Sequence, residues 1–164
     1  MRLRILGVVM GTVRVFVSFD TQNDVELYQK LLRQAKSSVS SFSIAGSSSS
    51  STSICSSDEV SEQATREQIQ AVDQMIIICS EQTSTCVAVS RELQIAQEEK
   101  TPYLLLWGRR EGMCSKPVGS DSRDAIYSWT RHILQDHIAE LARKAQSDAV
   151  HSAARLRRQT RQPA

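Results

Sequence analysis

Met75-Ile76-Ile77-Ile78-Cys79 decides the reading of this chain: five consecutive apolar residues between Gln74 and Ser80. A run this short with no polar alternation marks a strand buried on both faces. The segment that follows, Ser80 to Lys100 (SEQTSTCVAVSRELQIAQEEK), carries Cys86, Val89, Leu93 and Ala96 at the spacing of one helix face. A buried strand feeding an amphipathic helix is half of a βαβ crossover, the unit from which parallel sheets are built. On the helical wheel Glu92 falls at the edge of the apolar stripe. That position makes it the first candidate for chemistry.

Working outward, Val13 to Ser18 (VRVFVS) reads as the first strand and ends at a polar turn, Phe19 to Asp24. Asn23 with Glu26 three residues on fits a capping box. Val25, Tyr28, Leu31, Leu32 and Ala35 then keep helical spacing to about Lys36. Phe42 to Ala45 reads as a second strand inside a serine-dominated tract, Ser37 to Ser57. The tract offers little apolar surface to offset ordering entropy, so residues 46–57 are expected to form a mobile loop. Ser56-Ser57-Asp58-Glu59 can start a second helix that runs to about Asp73.

Pro102 to Trp107 (PYLLLW) is a fourth strand, and residues 108–121, with Gly112, Pro117 and Gly119, form a loop with no obvious fifth strand. Ser122 or Asp124 is expected to cap a long last helix bearing Ile126, Trp129, Ile133 and Leu141. Residues 1–12 read as a leader, 13–145 as one domain, and 146–164 as a basic tail with Arg155, Arg157, Arg158 and Arg161.

The totals narrow the function. A net charge of +2 makes no case for nucleic acid, and a basic tail is more often a solvated end than a phosphate reader. No apolar run approaches a membrane span. Arg2 and Arg4 ahead of a short apolar patch imitate a signal peptide, but Gly7 interrupts it and no cleavage site follows. Cys55, Cys79, Cys86 and Cys114 form no CxxC pair, and no histidine clusters with them, so no metal site is expected. Reduced cysteines in a cytoplasmic protein are the expectation.

Alternating strands and helices joined by right-handed crossovers give a three-layer α/β sandwich of flavodoxin-like type. Its parallel sheet has four or five strands in the order 2-1-3-4(-5). Ligands in such sheets bind beyond the carboxyl ends of the strands at the topological switch, here between strands one and three. Ser18, Phe19 and Asp20 arrive there from strand one, Ser80 and Glu81 from strand three. The serine loop and Trp107 border the rim. The turn after strand one holds no glycine, so the dinucleotide-binding fingerprint is absent.

RVFVSFD at 14–20, ICSEQTST at 78–85, RELQIAQEEKTPYLLLWG at 91–108 and the KP…IYSWT pattern at 116–130 resemble the TIR-like domains of bacterial Thoeris-type defence proteins. The likeness covers roughly residues 14–140. It implies a TIR-like fold and cleavage of NAD with release of nicotinamide. Some members make a cyclic ADP-ribose-type signal that a separate effector protein senses. The family's catalytic glutamate, on the helix after strand three and followed by an apolar residue, falls on Glu92-Leu93. The nicotinamide end would be framed by Phe19 and Asp20, with Ser18, Ser80 and Trp107 as further substrate contacts. NAD is then substrate, with no cofactor and no metal. Two rivals stay open: a non-catalytic TIR-like module that self-associates or binds an effector, and a flavodoxin-like nucleotide-binding protein.

Overall fold

The computed structural model describes residues 12–48 and 58–159. The loop expected at 46–57 is corrected at its start, where Gly46 and Ser47 extend the second strand through their pairing with Phe16 and Val17; its remainder at 49–57, the Ser56–Ser57 cap and residues 1–11 lie outside the described residues. In chain order the elements are β1 (Val13–Ser18), α1 (Val25–Ala35), β2 (Phe42–Ser47), α2 (Asp58–Gln70), β3 (Gln74–Cys79), α3 (Val87–Glu98), β4 (Tyr103–Trp107), β5 (Ile126–Ser128) and α4 (Arg131–Gln159). The five strands form one parallel sheet, ordered β2-β1-β3-β4-β5.

The central strand explains the layers. All six residues of β3 are buried, because helices cover both faces of the sheet. Ile76 and Ile78 pack with Leu31 of α1 and with Leu134 and Ile138 of α4. Met75, Ile77 and Cys79 pack on the other side with Ile69 of α2 and with Val89, Leu93 and Ala96 of α3. Arg66 of α2 ties the second layer together, reaching Glu98 at 2.7 Å and Glu99 at 2.7 Å on α3 and its neighbour Glu62 at 3.3 Å.

Three local expectations are corrected. The Asn23–Glu26 capping box does not form: Asp24 is the N-cap of α1, without a side-chain cap. The turn is organised instead by Asp20, whose carboxylate accepts the Gln22 and Asn23 amides and the Asn23 Nδ2 group. Glu26 turns to Arg109 at 2.6 Å. Along α1 the buried pair is Leu27 and Leu31, while Val25 is exposed.

The second correction concerns the last strand. Ile126, Tyr127 and Ser128 pair with Leu105, Leu106 and Trp107, so Ile126 belongs to an edge strand and not to a helix. Three residues are too few to show an alternating pattern, and the Ile126–Trp129–Ile133 spacing imitates a helical one. Third, neither Ser122 nor Asp124 caps α4. Its first turn follows Thr130, whose Oγ1 accepts the Ile133 amide at 3.2 Å. The Asp124 carboxylate accepts the Tyr103 hydroxyl at 2.7 Å and the Asp121 amide at 2.9 Å. Beyond Ala142 no α4 residue with a described side chain is buried, yet the helix continues to Gln159. Among the described residues no helix is long and apolar enough to cross a membrane.

Candidate functional site

Glu92 is one of five buried residues on α3, with Val89, Leu93, Ile95 and Ala96. Its exposure is 5%, well inside the stripe edge that the wheel suggests. A carboxyl group enters a core only with partners, and two serines supply them. Ser18, the last residue of β1, donates its hydroxyl to Glu92 Oε2 at 2.5 Å. Ser48, just past the end of β2, donates to the same oxygen at 2.7 Å. The Phe19 amide in turn donates to Ser48 Oγ at 3.1 Å, which fixes that hydroxyl in place.

A register shift aligns the two serines. Val15 pairs with Ile44 but Phe16 pairs with Gly46, so Ala45 is the extra residue of a bulge, and Val17 then pairs with Ser47. Continuing that register sets Ser18 beside Ser48. Without the inserted residue Ser18 would meet Ser47 instead. Bulges re-aim side chains in this way at sheet edges and sites.

Burial pushes the Glu92 carboxyl up to about 7, against the opposing pull of the Ser18 and Ser48 hydroxyls, which favour its charged form. Both hydroxyls take Oε2. Among the described residues Oε1 accepts no hydrogen bond. Glu92 borders a cavity of about 200 Å³ with Thr21, Ser48, Thr65, Arg91 and Ile95. Ser61, Glu62 and Ala88 complete the wall, so the lining offers four hydroxyls, two carboxyl groups and one guanidinium, a set able to hydrogen-bond a polyhydroxylated molecule such as a sugar.

The other candidate residues are placed as follows. Ser18 and Glu92 come together. Phe19 contributes its amide, while its ring is buried and stacked on Tyr28 with centroids 4.6 Å apart. Asp20 closes its own turn, and its neighbour Thr21 is the residue that lines the cavity. Ser80 points its hydroxyl to Asp24 Oδ2 at 2.6 Å. With Arg109, which reaches Asp24 at 3.3 Å, it pins the β1–α1 turn to the ends of β3 and β4. Burial holds Asp24 above the ordinary carboxylate range in spite of those two partners. Trp107 lines a different cavity, with Lys30 and Trp129.

Ser48 falls in the serine tract and Thr21 in the polar turn that sequence reasoning sets at the rim, while Thr65 and Arg91 are not singled out by it. Ser48 had one signal available: it follows the strand that neighbours β1. Thr65 and Arg91 had none, because α2 and α3 reveal their cavity-facing positions only when packed. Cys79, Cys86 and Cys114 are free thiols.

Residues 16–110, more than half of the 164-residue chain, match the family described as Thoeris protein ThsB, TIR-like domain. The chain is also similar to a solved structure entitled "Crystal Structure of a prokaryotic SEFIR domain", at 17% identity and a TM-score of 0.48, covering 80% of this chain and 90% of that one. No curated protein matches it. On the family match, the chain belongs to the TIR-like domain family of the Thoeris protein ThsB.

Proposed function

We propose that this domain cleaves NAD at the bond between nicotinamide and ribose, with Glu92 as the catalytic carboxylate. The observation that carries the reading is the state of Glu92: buried, hydrogen-bonded through Oε2 alone, with Oε1 unclaimed among the described residues beside a hydroxyl-lined cavity. The nicotinamide of NAD is already cationic. When the C1′–N1 bond breaks, its electron pair leaves with nicotinamide, which departs neutral and needs no general acid. The ribose is left as an oxocarbenium ion, as in glycoside hydrolysis. An ionised Glu92 would stabilise that cation or hold the ribose hydroxyls, an effect worth about 3–4 kcal/mol for a single preorganised group. Capture by water gives ADP-ribose and a proton. Capture by a nucleophile of the adenine moiety gives a cyclic product, a signal suited to a separate effector protein.

Arg91 beside Glu92 offers a guanidinium for the diphosphate. Ser18 and Ser48 would hold the carboxylate against rotation. A second reading, a non-catalytic TIR-like interaction module, is favoured by one observation. The cavity at Glu92 is about 200 Å³, below the roughly 300 Å³ at which small-molecule sites usually begin. Incubating the purified protein with NAD, alone and with lysate from phage-infected cells, separates the two. Nicotinamide release supports the enzyme. Absence of release in both conditions supports the module.

A further inference from the structure

The larger cavity lies across the sheet from Glu92, between α1 and the start of α4, and has a volume of about 590 Å³. That is within the range of small-molecule sites, about 300–1,000 Å³. Its walls include Trp107 at the end of β4, Trp129 and Thr130 ahead of α4, and the cations Lys30 and Arg110. No carboxylate lines it among the described residues.

Both indoles have their N–H groups committed to the protein. Trp107 Nε1 donates to the Gly112 carbonyl at 3.3 Å, and Trp129 Nε1 donates to Gln34 Oε1 at 3.0 Å. What a ligand meets is then the π surface, and Trp107 is 38% exposed. Lys30 Nζ stands 4.3 Å from the Trp129 ring centroid, a cation–π contact that holds the ammonium at the cavity wall. Neither Lys30 nor Arg110 has a carboxylate partner among the described residues. The adjacent Arg109 contrasts with them, being held by Asp24 and Glu26.

We propose that this cavity is a second ligand site, for a nucleotide whose base stacks on Trp107 and whose phosphates are held by Lys30 and Arg110. Stacking on an indole accepts any base, and a guanidinium with an ammonium selects for phosphate. The start of a long helix beside Thr130 adds favourable dipoles for an anion. The proposal is independent of NAD cleavage at Glu92, since the two cavities share no lining residue.

The test is direct because the chain has two tryptophans and both line this cavity. Indole emission, excited beyond adenine absorption, is followed while ADP is added to the full chain. Saturable quenching is expected. Lys30→Ala combined with Arg110→Ala, both exposed side chains, should weaken ADP at least tenfold, and adenosine should bind at least tenfold more weakly than ADP. Glu92→Gln should bind ADP as the unmodified chain does. No saturable change at millimolar ADP would overturn the proposal, as would adenosine matching ADP or a response lost in Glu92→Gln. An emission change that follows protein concentration without ADP would mark docking of a second copy, and also overturns it.

Discussion

Glu92 titrates against its own burial, and this makes its role measurable apart from any activity. Folding lifts its carboxyl from the usual 4.5 to about 7, so the folded chain binds this proton more tightly than the unfolded one. The stabilising effect is complete below about pH 4.5 and is lost as pH rises through 7. Glu92→Gln, neutral throughout, should therefore unfold at higher urea than the unmodified chain at about pH 8, by about 2–3 kcal/mol. The difference should shrink toward pH 4.5. Ser48→Ala removes one hydroxyl that favours the carboxylate, so the group should titrate higher by roughly one pH unit. NMR observation of the Glu92 carboxyl across the pH range would show it. The carboxylate position itself was legible in the sequence, as a residue at the edge of an apolar helix face. Its burial was not, because that depends on Ser48, brought alongside Ser18 by a one-residue bulge in a strand whose last residues, Gly46 and Ser47, have the composition of a loop.

At the scale of elements, the strand ends are locked by close backbone approach. A Cβ on Gly108 would lie 2.7 Å from Leu27 Cδ1 and 3.0 Å from the Cys79 carbonyl oxygen, which accepts the Gly108 amide at 2.8 Å. Gly108→Ala should cost about 1–3 kcal/mol in chemical denaturation, since Leu27 is buried and the carbonyl cannot yield. Arg66→Ala leaves Glu62, Glu98 and Glu99 facing one another without their cation. It should lower the melting temperature, with an effect that diminishes as salt is added. Strands β1, β3 and β4 were legible because burial on both faces writes continuous apolar runs. β5 was not: with three half-buried or exposed residues it carries no pattern, and its Ile126 falls in phase with the helix beyond. The capping box at Asn23 failed for a similar reason: Asp20 takes the Asn23 amide that the Glu26 carboxylate would accept, and the sequence gives no ranking between the two.

For the whole molecule, the sheet order and the membership of the Thoeris ThsB TIR-like family rest on separate observations, the strand pairing and the match over residues 16–110. The cavity beside Glu92 opens at the carboxyl ends of β1 and β2, against α2 and α3, and not between β1 and β3. The far half of α4 takes no part in the core, since the described side chains from Arg143 onward are exposed. Ending the chain after Ala145 should leave the melting temperature within a few degrees of the full chain, about the shift that 1 kcal/mol produces. The central claim is that Glu92 is the group that acts on NAD. Its most direct test is nicotinamide release against pH by the unmodified chain and by Glu92→Gln, under whichever condition activates the former. The account predicts kcat/KM rising through an ascending limb near pH 7, and a loss of at least about a hundredfold in the variant at every pH. Equal turnover by the folded Glu92→Gln variant would contradict it.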